Sequence, residues 1–181
     1  MSRKTHRVWR LGSNIDTDLL APGPYMKLGI EGIAPHCLES IRPEFAEKVQ
    51  RGDIVVAGPG FGIGSSREQA AAALVWLGIA AVVAPSYGGL FFRNAFNVGL
   101  LLLTCPQAEL LEENEMVELD FAEPSVISAV HGKLDCEPVP EFLLAMVRAG
   151  GLLNQLKKSY GRNESVQGSK FSVQQDRSSN K

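Results

Sequence analysis

The sequence predicts an α/β fold with a mainly parallel central sheet. Three observations carry this expectation. Residues 53–57 (DIVVA), 79–84 (IAAVVA here counted with Ile79) and 100–104 (LLLLT) are continuous apolar runs rather than alternating ones, as in strands covered on both faces. A helix-forming run lies in each interval, residues 69–77 and 90–98. Gly78 and Gly99 close those runs in the manner of helix C-termini, giving strand–helix–strand–helix–strand.

Taken in order, residues 6–11 (HRVWRL) alternate enough for a first strand and run into the polar turn 12–18 (GSNIDTD). Asn14, Asp16 and Asp18 stand at alternate positions, as in a calcium loop. Leu19 occupies the place of the required glycine and Tyr25 that of the closing glutamate, which argues against calcium. Two readings of the turn stay open: side chains bonded to nearby backbone N–H groups, or a loop that aims carboxylates at a site. Residues 22–29 (PGPYMKLG) are a loop by their prolines and glycines, with Tyr25, Met26 and Lys27 at the tip. An apolar side chain beside a cation suits a substrate with an alkyl arm and a carboxylate; Met26 packing on the core is the alternative. Residues 30–40 predict a short helix or irregular segment, and 43–49 a short helix opened by Pro43.

The chemistry concentrates between the strand at 53–57 and the helix at 69–77. Gly58, Gly60, Gly62 and Gly64 alternate with other residues and lead into Ser65, Ser66, Arg67 and Glu68. Glycines at that spacing permit positive φ or close backbone approach. A helix N-terminus presents unpaired N–H groups and a positive dipole end, and Arg67 adds a planar fork for a carboxylate, so the junction suits an anion. Ser65 with Glu68 and Ser66 with Gln69 both match a capping box, of which only one can form. The second hydroxyl then stands beside the dipole and the arginine, where an alkoxide is favoured. A P-loop is excluded by the lack of a lysine in the loop. A dinucleotide fingerprint is excluded because the glycines run G-x-G-x-G and residues 69–108 contain no acid.

Residues 86–89 form a further turn. Arg93, alone among charges between Glu68 and Glu109, lies with Asn94 in the helix at 90–98. Residues 116–121 and 125–130 predict a hairpin-like pair of shorter strands, and 140–148 and 151–158 two closing helices. From residue 159 the composition turns to Ser, Gln, Asn, Lys and Arg with few large apolar residues. The expected division is therefore one domain over 1–158 and a disordered tail over 159–181.

Composition narrows the partners. With 18 basic and 20 acidic residues there is no nucleic-acid footprint, and no apolar run is long enough to span a membrane. The basic N-terminus lacks the apolar segment of a signal peptide, so a cytoplasmic protein is expected. Cys37, Cys105 and Cys136 are widely spaced, as are His6, His36 and His131. No local zinc or iron–sulfur spacing is present, and any cluster would be supplied by another chain.

The strings N-I-D-T-D (14–18), G-D-I-V-V-A-G (52–58), F-G-I-G-S-S-R-E (61–68), F-F-R-N (91–94) and R-A-G-G-L-L-N (148–154) together resemble the small subunit of 3-isopropylmalate dehydratase, which is similar to the swivel domain of aconitase. The resemblance covers about residues 6–158. It implies an aconitase-type swivelling β/β/α domain with a mainly parallel central sheet. It also implies a hydro-lyase active only with a large subunit that carries a [4Fe–4S] cluster, in a heterodimer or heterotetramer, with no cofactor on this chain. The implied substrate is a small hydroxy-dicarboxylic acid, and the implied role is leucine biosynthesis. By position, Ser65 would be the base, with Ser66, Arg67, Tyr25, Met26, Lys27, Asp16 and Thr17 at the substrate. Three departures stand out. Ile63 replaces the family's usual cysteine, as an isosteric packing change. Residues 86–90 (SYGGL) replace a serine-phenylalanine-alanine-arginine-isoleucine pattern. The specificity loop reads Tyr25-Met26-Lys27-Leu28 in place of tyrosine-leucine-arginine-threonine. Lysine keeps the charge of arginine but not its two-point fork. Related dehydratases of methyl-, dimethyl- or citramalate type, or a non-catalytic anion-binding module, are the alternatives.

Overall fold

The computed structural model describes residues 4–167, with side chains as far as Tyr160. The chain begins with β1 (Thr5–Arg10), followed by two short helices, α1 (Thr17–Leu20) and α2 (Gly29–Ile33), and by α3 (Phe45–Lys48). The expected core then follows: β2 (Ile54–Val56), α4 (Glu68–Trp76), β3 (Ala81–Ala84), α5 (Gly89–Val98) and β4 (Leu101–Thr104). Gly78 and Gly99 take φ of +87° and +85° just past α4 and α5, the left-handed conformation that glycine adopts without a Cβ penalty. β5 (Met116–Asp120), β6 (Ser125–Ser128) and β7 (Gly132–Asp135) complete the sheet, and α6 (Glu141–Ala149) and α7 (Leu152–Gln167) close the chain.

The seven strands lie in the order β4-β3-β2-β1-β5-β6-β7. β1 to β4 are mutually parallel, with Val55 level with Trp9 on one side and Val82 on the other. β5, β6 and β7 add antiparallel pairings beyond β1. All of β2 and β3 is buried, as the unbroken apolar runs predicted. α4 packs on α5 and on the short α1 and α2, while α5 also meets α6 and α7. Phe45, Phe61, Phe91 and Phe96 are the largest side chains sealed in the core.

Several elements differ from expectation. The loop expected at 22–29 is a 3₁₀ turn, Gly23–Leu28. β7 was not foreseen because Gly132-Lys133-Leu134-Asp135 carries one apolar residue. Its place is set by backbone pairing, Leu134 opposite Val126, rather than by local pattern. α7 continues to Gln167 rather than ending at Lys158. No proline interrupts it, and once nucleated a helix gains one hydrogen bond for each residue added. The rest of the expected tail, 168–181, lies outside the described residues.

Candidate functional site

The site forms where the parallel strands end. Beyond β1 and β2 the two chains stay side by side, exchanging backbone bonds outside the regular ladder. Leu11 N–H reaches Val56 O at 2.8 Å, Asn14 N–H reaches Pro59 O at 2.8 Å, Gly62 N–H reaches Ile15 O at 2.6 Å and Thr17 N–H reaches Ile63 O at 2.9 Å. The turn at 12–18 is thereby fastened along the glycine loop. On the other side Phe61 bridges to Tyr87, and the Ser86 hydroxyl accepts from Gly60 N–H at 2.9 Å. Gly62 sits at φ +76°, where a Cβ would fall 2.2 Å from the ring of the fully buried Phe91. The loop can lie this close to α5 only without a side chain at that position.

This arrangement delivers Ser65 to Thr17. Thr17 is 1% exposed, and its Oγ1 accepts from Ser65 N–H at 3.0 Å and lies 3.0 Å from Ser65 Oγ. Ser65 itself is exposed, so a surface hydroxyl is held by a buried partner. Arg67 is anchored through Nη1 to the carboxylate of Asp18 and to Ala21 O, the latter at 3.2 Å. Among the described residues its Nε and Nη2 carry no bond. Asn94 Nδ2 donates to Ser66 O at 3.0 Å and so holds the neighbouring loop residue from α5.

Neither capping box forms. Arg67 is the N-cap of α4, with φ −63° and ψ 109°, and no side chain caps the helix. Gly64, at φ +104°, turns the chain so that Ser65 faces Thr17 instead of the first turn. The helix starts later than either box requires, at Glu68. Both serines are thus free of the competing structural duty that the sequence offered them.

The comparisons with known proteins bear on what such a loop serves. Residues 39–108 match the aconitase C-terminal domain model. The chain is 42% identical over 153 residues to 3-isopropylmalate dehydratase small subunit 1 of Archaeoglobus fulgidus, covering 83% of this chain and 95% of that protein. It is 41% identical to the corresponding small subunit 1 of Thermotoga maritima, covering 84% and 93%. A crystal structure of 3-isopropylmalate dehydratase from Methanocaldococcus jannaschii superimposes with a TM-score of 0.83 at 35% identity, covering 90% of this chain and 98% of that one. The chain belongs to the 3-isopropylmalate dehydratase small-subunit family.

Its fold is accordingly the expected aconitase-type α/β domain. Within this small-subunit fold the expected site residues separate into two groups. Ser65, Thr17 and, through Asp18, Arg67 are joined by direct bonds; Ser66 lies between them, exposed. Asp16 pairs with Ile63 through a backbone bridge, and its Oδ1 accepts from Leu19 N–H at 2.8 Å, capping α1. Of the two readings left open for that turn, Asp16 follows the one in which a side chain bonds nearby backbone. Tyr25, Met26 and Lys27 follow Ala21 on the 3₁₀ turn. Tyr25 stacks on His36 with ring centroids 3.5 Å apart, Met26 is half-buried against the core and Lys27 is exposed. No hydrogen bond or ion pair joins these three to residues 65–67 among the described residues.

Two positions carry more of the site than sequence reasoning gave them. Asp18, one of the carboxylates of a turn that could aim them at a site, is the anchor of Arg67, and Asn94 steadies Ser66. The F-F-R-N string signalled that Asn94 matters but not what it holds. Ile63 is 37% exposed and contributes backbone to the bridge, so its side chain is a surface feature and not the packing change expected. In the departing segment, Tyr87 OH lies 2.9 Å from Val82 O and 2.8 Å from Leu103 O, and burial pushes its pKa up. The segment that differs from the family pattern is therefore tied into the sheet.

Proposed function

We propose that this chain is the small subunit of a cytoplasmic hydro-lyase that isomerises 2-isopropylmalate to 3-isopropylmalate, by loss of water and its return at the neighbouring carbon, in leucine biosynthesis. It works with a large subunit, as a heterodimer or heterotetramer. The observation that carries this is the exposed Ser65 hydroxyl fixed 3.0 Å from the buried Thr17 Oγ1, three residues ahead of α4 and two ahead of Arg67. The relatives' name, 3-isopropylmalate dehydratase small subunit, supports the class of reaction and substrate.

In this role Ser65 takes the proton from the carbon beside a substrate carboxylate, with its hydroxyl held 3.0 Å from Thr17 Oγ1. Ser66 and Arg67 hold a carboxylate; with Nη1 committed to Asp18, Arg67 offers its Nε–Nη2 edge for two-point contact. Thr17 and Asp16 act as positioning groups beneath the loop. Tyr25, Met26 and Lys27 meet the remainder of the substrate, Met26 at the alkyl branch and Lys27 at its charge. The chain's own residues do not suit an iron–sulfur cluster. Cys37 and Cys105 are buried, and no group of three or more His, Cys, Asp or Glu residues that could hold a metal occurs among the described residues. The [4Fe–4S] cluster belongs to the large subunit in this assignment.

The test is steady-state kinetics of Ser65→Ala in the complex reconstituted with its large subunit, with thermal melts alongside. Most of kcat should be lost while substrate binding survives. Stability should fall by less than about 1 kcal/mol, because one surface hydrogen bond and no helix cap is removed. Wild-type kcat in Ser65→Ala would end the assignment and transfer attention to Ser66.

A further inference from the structure

The two edge strands of the sheet meet at one point. Glu137 N–H, just past β7, donates to Thr104 O at the end of β4 at 2.8 Å. β4 runs parallel to β1, and three successive antiparallel pairings through β5 and β6 leave β7 antiparallel to it. Continuing that antiparallel register by one residue from Thr104 and Glu137 places Cys105, just past β4, opposite Cys136, just past β7, in the position of a non-hydrogen-bonded pair. Such pairs bring side chains closest, with Cα atoms about 4.5 Å and Cβ atoms about 4.5–5.5 Å apart. The Cα spacing is one that a disulfide spans, and its usual Cβ spacing requires an approach of only about 1 Å.

Both side chains face the core. Cys105 is fully buried, and the half-buried Cys136 packs against the same apolar cluster, its N–H fixed to Pro124 O at 2.8 Å. We infer that Cys105 and Cys136 are a reversible disulfide site that joins the sheet edge to edge, formed by exchange with a low-molecular-weight disulfide such as oxidised glutathione. The Cys136 thiol lies 3.9 Å from Leu134 O, and its closeness to Cys105 lowers the pKa of Cys105 to about 7 and raises that of Cys136.

The exchange balances in two displacements. The Cys136 thiol passes its proton to the Cys105 thiolate, and the resulting thiolate on the half-buried Cys136 attacks one glutathione sulfur, breaking that S–S bond, releasing one glutathione thiolate and leaving a mixed disulfide. The Cys105 thiolate then attacks the Cys136 sulfur and expels the second glutathione. Two protein thiols are oxidised, one glutathione disulfide is reduced to two thiols, and the protons pass to the departing thiolates. Cys37, whose pKa burial alone raises, has no such neighbour and stays reduced.

The full-length chain is equilibrated with defined ratios of reduced to oxidised glutathione, then alkylated and peptide-mapped without reduction. The expected result is a Cys105–Cys136 cross-link, with free thiols falling from three to one and dithiothreitol restoring all three. Closing a loop of about 30 residues should raise Tm by about 7–14 °C. Cys37→Ala should keep this response and Cys136→Ser should lose it. If Cys136→Ser fails to fold, the wild-type map still decides. A stable glutathione adduct without the cross-link, three thiols left free at a poise that oxidises a control dithiol, or a cross-link to Cys37 would each overturn the inference.

Discussion

Thr17→Val separates placement of Ser65 from general stability. Valine matches threonine in shape, so the fully packed position beneath the glycine loop keeps its volume. What disappears is Oγ1, the acceptor for Ser65 N–H at 3.0 Å and the partner of Ser65 Oγ at 3.0 Å. A hydrogen bond is worth about 0.5–1.5 kcal/mol net. Both lost bonds end on an exposed residue whose polar groups water can serve, which places the combined cost near the lower end, about 1 kcal/mol. That corresponds to a Tm lowered by about 2–4 °C. Catalysis should suffer more: a reacting group displaced by about 1 Å costs on the order of 100-fold. The assay is kcat and KM for 2-isopropylmalate in the reconstituted complex, with a melt of each protein. A kcat loss of 10- to 100-fold beside a small Tm change fits the placement role. Wild-type kcat beside a lowered Tm would refute it and make the Thr17 contact a structural bond only.

Two other perturbations test different parts of the molecule. Burial works to raise the pKa of Asp53, but Arg7, the Gln50 N–H at 2.9 Å and the Trp9 indole at 2.8 Å outweigh it and leave the carboxyl below its ordinary value. A depressed carboxylate stabilises the fold above its unfolded pKa, about 3.9, and that contribution is lost as pH falls through the folded value. Asp53→Asn should therefore cost about 2 kcal/mol at neutral pH and show a flatter acid limb below about pH 4 than wild type; identical acid limbs in urea titrations would show that Asp53 does not anchor β1 to β2. Met26→Arg should weaken catalysis on alkyl malates and shift preference toward substrates with a further carboxylate, because a cation replaces a half-buried apolar contact. Unchanged relative kcat/KM across a panel of substituted malates would leave the 3₁₀ turn a purely structural element.

The parallel core was legible in the chain because its determinants are local. Unbroken β-branched and leucine runs have no polar face to present to water, and Gly78 and Gly99 fix where the intervening helices stop. The string F-G-I-G-S-S-R-E likewise marks the loop and its hydroxyls. The sequence could not say which serine duty would win. Capping depends on where α4 begins, and that follows from the left-handed turn at Gly64 and from the strip of bonds tying residues 11–17 to residues 56–65. Those partners are more than forty residues apart. Their register is set by the pairing of β1 with β2, so Thr17 meets Ser65 only once the sheet exists. The same holds for β7, whose composition gives no strand signal, and for Cys105 opposite Cys136, which requires seven strands to bring the sheet's two edges together. Local chemistry determined which segments are strands, helices and reactive loop. Long-range backbone pairing decided which side chains touch, because hydrogen-bonded register acts between segments that sequence separation keeps apart.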